Sequence, residues 1–284
     1  MNQLPESVVA DREALMAGLV SAALDAGREI WAVFQQDFEV EWKSDSSPVT
    51  AADHAAEAVI LKALAILAPG VPVVAEEESA AGRTPEVGRR FFLVDPLDGT
   101  REFVRKGGDF TVNIALIEDG APTLGVVYAP ARAALYVGDV ARAVAWTSDI
   151  DPEHTGSPSP PRPLRVRTPG ETLTVVASKS HDVPETEAYL DSMGRPTARI
   201  AVGSSLKFCL LAAAEADLYP RPSPTSEWDT AAGHAVLAAA GGRAFAPDGS
   251  PLRYGKPRFF NPGFVASGPF DPPAIGPFMG PPSR

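Results

Sequence analysis

The segment at residues 95–100, whose sequence is DPLDGT, places two carboxylates three residues apart. It follows an apolar run at 91–94 that is typical of a buried strand, so the two acids stand where a rigid strand end meets a turn. Two carboxylates this close repel each other, and a divalent cation that prefers hard oxygen ligands, such as Mg²⁺, relieves that repulsion. The alternative is a plain surface turn, because Asp, Pro and Gly are common turn residues.

Two further groups of acids follow the same pattern. Three glutamates at 76–78 end a strand-like run at 71–75, and Asp229 stands before a predicted helix over 230–240. Carboxylates at three separate element ends suit a phosphatase with two metal ions, since one carboxylate must bridge ions about 3.5–4 Å apart. The alternative for Asp229 is the helix N-cap, a position that Asp fills well, and it can serve as both.

Three blocks of sequence resemble the signatures of the inositol monophosphatase superfamily, a group of Mg²⁺-dependent, lithium-sensitive phosphatases. They are the glutamate pair at 76–77, DPLDGT at 95–100 and WDTAAG at 228–233, and the similarity runs from about residue 46 to about residue 268. Within the superfamily the chain is more similar to the CysQ-type 3'(2'),5'-bisphosphate nucleotidases. The segments that carry this closer resemblance are 100–103, 110–117, 125–130, 178–181, and 219–221 leading into 227–229.

The resemblance implies a layered αβαβα phosphatase fold. It also implies hydrolysis of the 3'-phosphate of adenosine 3',5'-bisphosphate (PAP), with the sulfated form PAPS as a further candidate, by a metal-activated water and in connection with sulfur metabolism. The alternative is the same chemistry on inositol phosphates or fructose 1,6-bisphosphate. A third hypothesis is a protein that binds PAP without turnover. A complete metal-ligand set argues against this third hypothesis, because a pure binder needs no water-activating pair.

The resemblance implies a ligand set for Mg²⁺, with two or three ions and Li⁺ as an inhibitor. Asp95 matches the family's shared aspartate and is the predicted bridging ligand, and the backbone carbonyl of Leu97 is an extra ligand. Asp98 and Asp229 complete the second ion.

The first ion takes a glutamate from residues 76–78, and the register is ambiguous. Counting along the strand favours Glu76, whereas anchoring on the Glu-Glu-Ser pattern favours Glu77. We predict Glu76 as the ligand and keep Glu77 as the alternative, with Glu78 in solvent.

The predicted catalytic set is Asp53, Thr100 and Glu76. Asp53 matches the family's aspartate that accepts a proton from a threonine, here Thr100, which would orient the attacking water. The alternative for Asp53 is a capping box, because it follows Thr50 by three residues at a predicted helix start.

Phosphate recognition falls to two predicted groups. The backbone N–H groups of Gly99 and Thr100 would bind the reacting phosphate, unless this pair serves the turn alone. The resemblance carries Ser204 and Lys207 over as contacts of the second phosphate, and Arg221 adds a planar guanidinium. For Ser204 and Lys207 the alternative is a simple N-cap with a solvated lysine.

His181 matches a position that contacts adenine in the nucleotidases, and the alternative is an exposed loop histidine.

Composition narrows the class of protein. Hydrophobic residues make up 45% of the 284, enough for a packed core, and the net charge of −11 disfavours nucleic acid or an anionic membrane as a partner. The single cysteine, Cys209, excludes an intramolecular disulfide and lies in an apolar stretch that predicts burial. The start of the chain lacks a signal-peptide pattern, and no apolar run approaches 18 residues, so we expect a cytoplasmic protein, monomer or homodimer, that acts on a small phosphorylated molecule.

Periodicity predicts an α+β half at 1–150 and an α/β half at 164–284. The resemblance implies that the site lies between them. The predicted helices cover 6–36, 50–67, 184–193, 204–215 and 230–240. The predicted strands cover 71–77, 90–95, 109–118, 122–129, 133–138, 141–147, 173–178, 198–202, 217–221 and 264–267. Hairpin turns are predicted at 118–120 and 138–139, and a frayed Pro-rich tail is predicted after residue 269.

Overall fold

The structure is a computed structural model that describes residues 6–43, 48–153, 158–177 and 184–280, with side chains described from residue 11. The helices are α1 Glu6–Phe34, α2 Ala51–Leu67, α3 Glu76–Ala80, α4 Thr100–Val104, α5 Pro184–Ser192, α6 Leu206–Ala212 and α7 Trp228–Ala239. The strands of the first half are β1 Glu41–Trp42, β2 Pro48–Val49, β3 Val73–Ala75, β4 Arg90–Asp98, β5 Thr111–Glu118, β6 Ala121–Ala129, β7 Ala134–Asp139, β8 Val144–Asp149 and β9 Arg162–Pro163. Those of the second half are β10 Leu173–Ala177, β11 Thr197–Ala201, β12 Leu218–Arg221, β13 Thr225–Ser226, β14 Arg243–Phe245, β15 Phe260–Asn261 and β16 Phe264–Ser267.

A seven-stranded sheet, with its strands in chain order from β3 to β9, forms the centre of the first half. The pairing is antiparallel except between β3 and β4. Helices α1 and α2 cover one face and bury Leu19, Ile30 and Ile60 against Phe92 and Val126. The apolar positions of both helices recur every three or four residues, which places them on one face of each helix.

Helices α6 and α7 cover the opposite face of this sheet and also pack against a second, five-stranded sheet. Two glycines let α7 approach closely. A Cβ at Gly125 would lie 2.4 Å from the Ala232 carbonyl oxygen, and one at Gly138 would lie 2.6 Å from the Val236 Cα. Small residues on both partners therefore allow close contact between the sheet and the helix.

The second sheet has the order β11-β10-β12-β16-β14, and α5 packs on its outer face through Tyr189 and Leu190. The layers are therefore helix, sheet, helix, sheet and helix, which confirms the predicted αβαβα arrangement. Within the described ranges, none of the helices combines the length and the apolar character needed to cross a bilayer.

Two details differ from the sequence-based expectations. The predicted hairpin turn at 138–139 is wrong, because β7 continues through Asp139 and the chain turns at 140–143. The expected fraying after residue 269 is also wrong as far as residue 280, because Ile275 is fully buried and the ring of Phe278 contacts Tyr189 edge-on. Apolar residues spaced among the prolines anchor this tail to α5.

Candidate active site

Most of the predicted site residues line one cavity of about 450 Å³. The predicted residues along its wall are Glu76, Asp95, Leu97, Asp98, Gly99, Thr100, Ser204, Lys207, Arg221 and Asp229. Asp53 and Glu77 lie behind this wall, and His181 lies outside the described residues. Elements from both halves of the chain therefore meet at this cavity.

A β-bulge in β4 explains how two acids three residues apart reach the same cavity. Side chains alternate along a strand, so residues three apart normally face opposite ways. Asp95 pairs with Asn113 and Asp98 pairs with Thr111, so β4 has one residue more than β5 between these pairs. Because of the extra residue, the Asp98 side chain faces the same side of the strand as Asp95. The Leu97 side chain packs into the core beneath.

A tight turn follows the bulge at Gly99, which has φ +91°. A Cβ there would lie 2.6 Å from the carbonyl oxygen of Asp109, so both the backbone angle and the space require glycine. Helix α4 begins at the next residue, Thr100. The N–H groups of its first turn have no partner inside the helix, as the predicted phosphate contact requires.

The Asp53 carboxylate contacts the partners of both roles that the sequence left open, Thr50 and Thr100. Its Oδ2 accepts hydrogen bonds from the Thr50 N–H and hydroxyl, both at 2.8 Å, which forms the capping box of α2. Its Oδ1 lies 3.2 Å from the Thr100 hydroxyl oxygen, which is also 3.1 Å from the Leu97 carbonyl. One hydroxyl proton can be donated to only one of these acceptors at a time. Burial raises the pKa of Asp53 to about 6, against the lowering effect of the Thr50 hydrogen bonds.

The glutamates at 76–78 do not continue a strand. β3 covers Val73–Ala75 and α3 begins at Glu76, so the predicted strand over 71–77 is two residues too long at each end. Successive helical residues point about 100° apart. Glu76 therefore reaches the cavity while Glu77 is buried behind it, and Glu78 pairs with Arg83 near the surface. This geometry favours Glu76 over Glu77 as the cavity ligand.

Two residues around α3 were missed by the sequence-based analysis. The Glu57 carboxylate accepts hydrogen bonds from the N–H groups of Glu77 and Glu78 and so holds the first turn of α3. The sequence could have indicated Glu57, because it follows Asp53 by four residues and so lies on the same face of α2. Lys43 lies 2.8 Å from Glu76 and 2.6 Å from Glu77, and nothing in its sequence context indicated this.

The carboxylates in the cavity raise one another's pKa values. Burial is the largest cause in each case, and repulsion by Glu76, Asp98 and Asp229 adds to it at Asp95, whose pKa is well above its usual range. The pKa of Glu76 rises to about 8, although Lys43 opposes the shift, and that of Asp98 rises to about 7. The Glu76 carboxyl lies close enough to Asp95 to raise its pKa, so the two acids oppose each other's ionisation.

This donor set fits Mg²⁺, because every side chain in it supplies hard oxygen and the group needs positive charge to ionise fully. As the side chains stand, no three acidic, His or Cys residues in the described part of the chain already have the arrangement of a metal site. The ammonium of Lys43, 2.8 Å from Glu76, provides part of the missing charge instead.

Asp229 lies in the first turn of α7 and accepts hydrogen bonds from the Thr225 hydroxyl and from the Ser226 N–H, the latter at 3.1 Å. The helix begins at Trp228 with Glu227 at the N-cap position, so the predicted start at 230 and the N-cap role of Asp229 are wrong. The buried Glu227 carboxylate accepts the N–H groups of Gly255 and Lys256 instead.

The predicted second phosphate group also lies in the cavity, with a different local structure. α6 begins at Leu206 instead of Ser204, and Ser204 has φ +49°. Lys207 is buried and donates to the carbonyls of Ser204, at 2.7 Å, and Val202, at 3.4 Å. The predicted solvated lysine and Ser204 N-cap are therefore wrong.

Arg221 and Ser204 retain hydrogen-bonding capacity in this region. The Arg221 guanidinium donates to the Pro224 carbonyl at 3.2 Å and lies 3.4 Å from the Tyr219 hydroxyl. Its Nε and the Ser204 hydroxyl are buried and have no hydrogen-bond partner among the described residues. Buried polar atoms in folded proteins nearly always have partners, so these two donors suit an anionic ligand. Cys209 is buried and free, as predicted.

Comparison with known proteins shows what this arrangement resembles. The sequence model described as the inositol monophosphatase family matches residues 11–268. The chain is 45% identical to the 3'(2'),5'-bisphosphate nucleotidase CysQ of Escherichia coli (strain K12) over 249 residues, which cover 86% of this chain and 96% of that protein. It is 30% identical to the CysQ nucleotidase of Haemophilus influenzae, over 90% of this chain and 93% of that one.

Solved structures show the same similarity. A crystal structure of CysQ from Bacteroides thetaiotaomicron has a TM-score of 0.76 and 36% identity, covering 90% of this chain and 97% of that one. An inositol monophosphatase from Anabaena has a TM-score of 0.70 at 24% identity, covering 94% of both chains, and shares the fold.

Proposed function

Because the chain belongs to the inositol monophosphatase family, we propose that it is a Mg²⁺-dependent 3'(2'),5'-bisphosphate nucleotidase. It hydrolyses the 3'-phosphate of PAP and yields AMP and inorganic phosphate. The observation that carries this proposal is the joint lining of one cavity by a carboxylate cluster and by Ser204, Lys207 and Arg221. A substrate with two phosphates uses both groups, whereas a monophosphate uses only one.

Glu76, Asp95, Asp98 and Asp229, with the Leu97 carbonyl, would hold two or three Mg²⁺ ions. When bound, Mg²⁺ neutralises phosphate oxygens and lowers the pKa of water enough to supply hydroxide near neutral pH. The raised pKa values of Glu76, Asp95 and Asp98 support the binding of cations at this cluster.

Asp53 and Thr100 position the attacking water. Asp53 is held by Thr50, and its free oxygen accepts the Thr100 proton. The Thr100 oxygen then has its lone pairs free to accept a hydrogen bond from the water and to hold it toward phosphorus. Because water is the nucleophile, the reaction requires no covalent phosphoenzyme. Cys209 is buried and does not line the cavity.

The N–H groups of Gly99 and Thr100 bind the reacting phosphate, and Ser204, Lys207 and Arg221 bind the phosphate that stays. Both Lys207 and Arg221 lie close enough to Asp98 to lower its pKa, so the two groups act within one small volume. This proximity supports a compact bisphosphate as the substrate.

Phosphate release from PAP, inositol 1-phosphate and fructose 1,6-bisphosphate, measured side by side with Mg²⁺ and with EDTA, tests this proposal. We expect the highest kcat/KM on PAP, activity only with Mg²⁺, and inhibition by Li⁺. A higher kcat/KM on either of the other substrates would contradict the nucleotidase specificity. Binding of PAP without phosphate release would contradict the enzymatic proposal itself.

A further inference from the structure

Four large apolar side chains are exposed in the described part of the chain: Trp42, Ile66, Val144 and Phe260. Of these four, Phe260 alone lines the candidate active site, and it is 41% exposed. An exposed aromatic ring loses favourable burial energy unless something covers it. Its place in the wall of a polar cavity therefore indicates a flat, apolar part of a ligand.

The backbone around Phe260 is held firmly. In the short β13–β15 pair, Phe260 lies opposite Ser226, whose N–H donates to Asp229. The next residue, Asn261, is fully buried, and its amide donates to the Thr230 hydroxyl at 3.0 Å. Phe260 is thus connected to the start of α7 on both sides. Little conformational entropy of the Phe260 backbone is therefore lost when a ligand packs on the ring.

The same wall links Phe260 to the second phosphate group. Pro224 also lines the cavity, and its carbonyl accepts the hydrogen bond from Arg221. A guanidinium for phosphate, a proline and an aromatic ring therefore line one cavity, and this combination suits a phosphate attached to a ribose and a planar base.

We infer that Phe260 is the platform on which the purine base of the substrate stacks, and that it selects nucleotides over sugar phosphates; this inference rests on the proposed function. Every nucleobase has a π face, and its stacking on an aromatic side chain contributes substantially to binding. Inositol and fructose phosphates have no such face. Phe260 is therefore a specificity-determining residue that contacts the base and takes no part in the reaction at phosphorus.

The test compares Phe260→Leu and Phe260→Trp on two substrates: PAP and methyl riboside 3,5-bisphosphate, which keeps both phosphates and lacks the base. Phe260→Leu should lower kcat/KM on PAP about 5- to 100-fold through KM. It should change kcat/KM on the base-free substrate less than about 2-fold. Phe260→Trp should keep the wild-type value on PAP within about 3-fold, because the larger ring still stacks. Phe245→Leu, at a half-buried ring that packs over Arg243 outside the cavity, is the matched control and should match wild type on both substrates.

Equal losses on both substrates, or no loss on PAP in Phe260→Leu, would overturn the inference. Calorimetry with AMP in EDTA separates this result from a failure of the proposed function. If the wild type binds AMP and Phe260→Leu binds it at least about 5-fold more weakly, the platform stands even without turnover of PAP. If AMP binds equally to both proteins, the platform is wrong whatever the turnover.

Discussion

The Glu76 carboxylate opposes the ionisation of Asp95 and raises its pKa, so full ionisation of both acids is favoured by added positive charge. Burial of Asp95, at 1% exposure, makes its charged form more costly still. The same feature that destabilises the metal-free protein prepares the site to bind a cation. At the scale of single residues, this exchange of a proton for a metal ion is the central physical claim.

Asp95→Asn separates these two effects. Loss of a partner behind a metal ligand costs about 10- to 100-fold in metal affinity or activity, and loss of the ligand itself should cost more. We therefore expect phosphate release to fall more than about 100-fold. The free energy of unfolding, measured by urea titration in EDTA, should stay the same or rise, because one like charge has been removed.

The exposed turn residue Asp248 provides the control for that change. Asp248→Asn should leave both the rate and the stability unchanged. An active Asp95→Asn enzyme would exclude the bridging role, and marked destabilisation in EDTA would show that the charge of Asp95 supports the fold.

Thr100 allows a test of water orientation. Thr100→Val keeps the shape and removes the hydroxyl, so we expect kcat to fall about 100- to 10,000-fold, the usual contribution of a positioned proton-transfer group. Thr100→Ser keeps the hydroxyl and should retain much of the activity. Steady-state kinetics at saturating Mg²⁺ distinguishes the two, and a Thr100→Val enzyme that loses no more activity than Thr100→Ser would contradict the role of the hydroxyl.

At the scale of elements, local pattern located the acids, and tertiary structure decided how they point. The apolar runs before residues 76 and 95 predicted strand ends with carboxylates beyond them. This holds at residue 76, because β3 ends at Ala75, but it is wrong at residue 95, because β4 continues through Asp98 and carries both aspartates. The bulge in β4 and the helical start of α3 could not be predicted, because both depend on partners distant in sequence, such as Glu57 and Asn113. The choice between Glu76 and Glu77 therefore stayed open until the rotation of α3 was known.

Glu57 is expected to act through α3. Glu57→Ala removes the acceptor for two N–H groups at the start of the helix, and Glu76 should lose its fixed position. We expect the Mg²⁺ concentration for half-maximal activity to rise about 10- to 100-fold, with a smaller effect on kcat at saturating Mg²⁺. Glu78→Ala removes a carboxylate from the same helix that binds only Arg83, and it should match wild type. A Mg²⁺ requirement unchanged by Glu57→Ala would contradict this positioning role.

Lys207 is expected to bind the second phosphate. Its ammonium also holds the Ser204 turn through the Ser204 carbonyl, so Lys207→Met should disturb two of the three donors of that group, Lys207 and Ser204. We expect KM for PAP to rise at least about 10-fold while KM for inositol 1-phosphate changes little. Lys62→Met, at an exposed position of α2, serves as the control. Equal rises for both substrates would show that Lys207 does not distinguish a bisphosphate.

At the scale of the whole molecule, α7 lies between the two sheets and carries both Asp229 and the buried His234. The layering itself was expected only from the family resemblance, because periodicity along the chain predicts elements and not how they stack. Contacts such as His234 Nδ1 to the Tyr254 hydroxyl, at 3.0 Å, join segments twenty residues apart in the sequence, and no local pattern indicates them.

Buried His234 should make a contribution to the free energy of unfolding that is lost in acid. Burial lowers its pKa to about 4 from an unfolded value of about 6.5, so the unfolded chain binds the extra proton first as the pH falls. Stability from this group is therefore full above about pH 6.5 and is lost toward pH 4, by up to about 3 kcal/mol. Urea unfolding in EDTA at pH 7, 6 and 5 should show the free energy of unfolding of the wild type falling relative to that of His234→Gln as the pH falls. The raised pKa values of the buried carboxyls act in the opposite direction in both proteins, so the difference between the two proteins isolates His234. The same pH dependence in both proteins would contradict this contribution.

The product of PAP turnover tests the central claim most directly, because the carboxylate cluster and the second phosphate group together determine which phosphate leaves. Chromatography of the nucleotide formed from PAP, with Mg²⁺ and with EDTA, reads this outcome. The site described here predicts AMP and inorganic phosphate with Mg²⁺, and unchanged PAP with EDTA. Adenosine 3'-phosphate as the product, or equal turnover in EDTA, would contradict it.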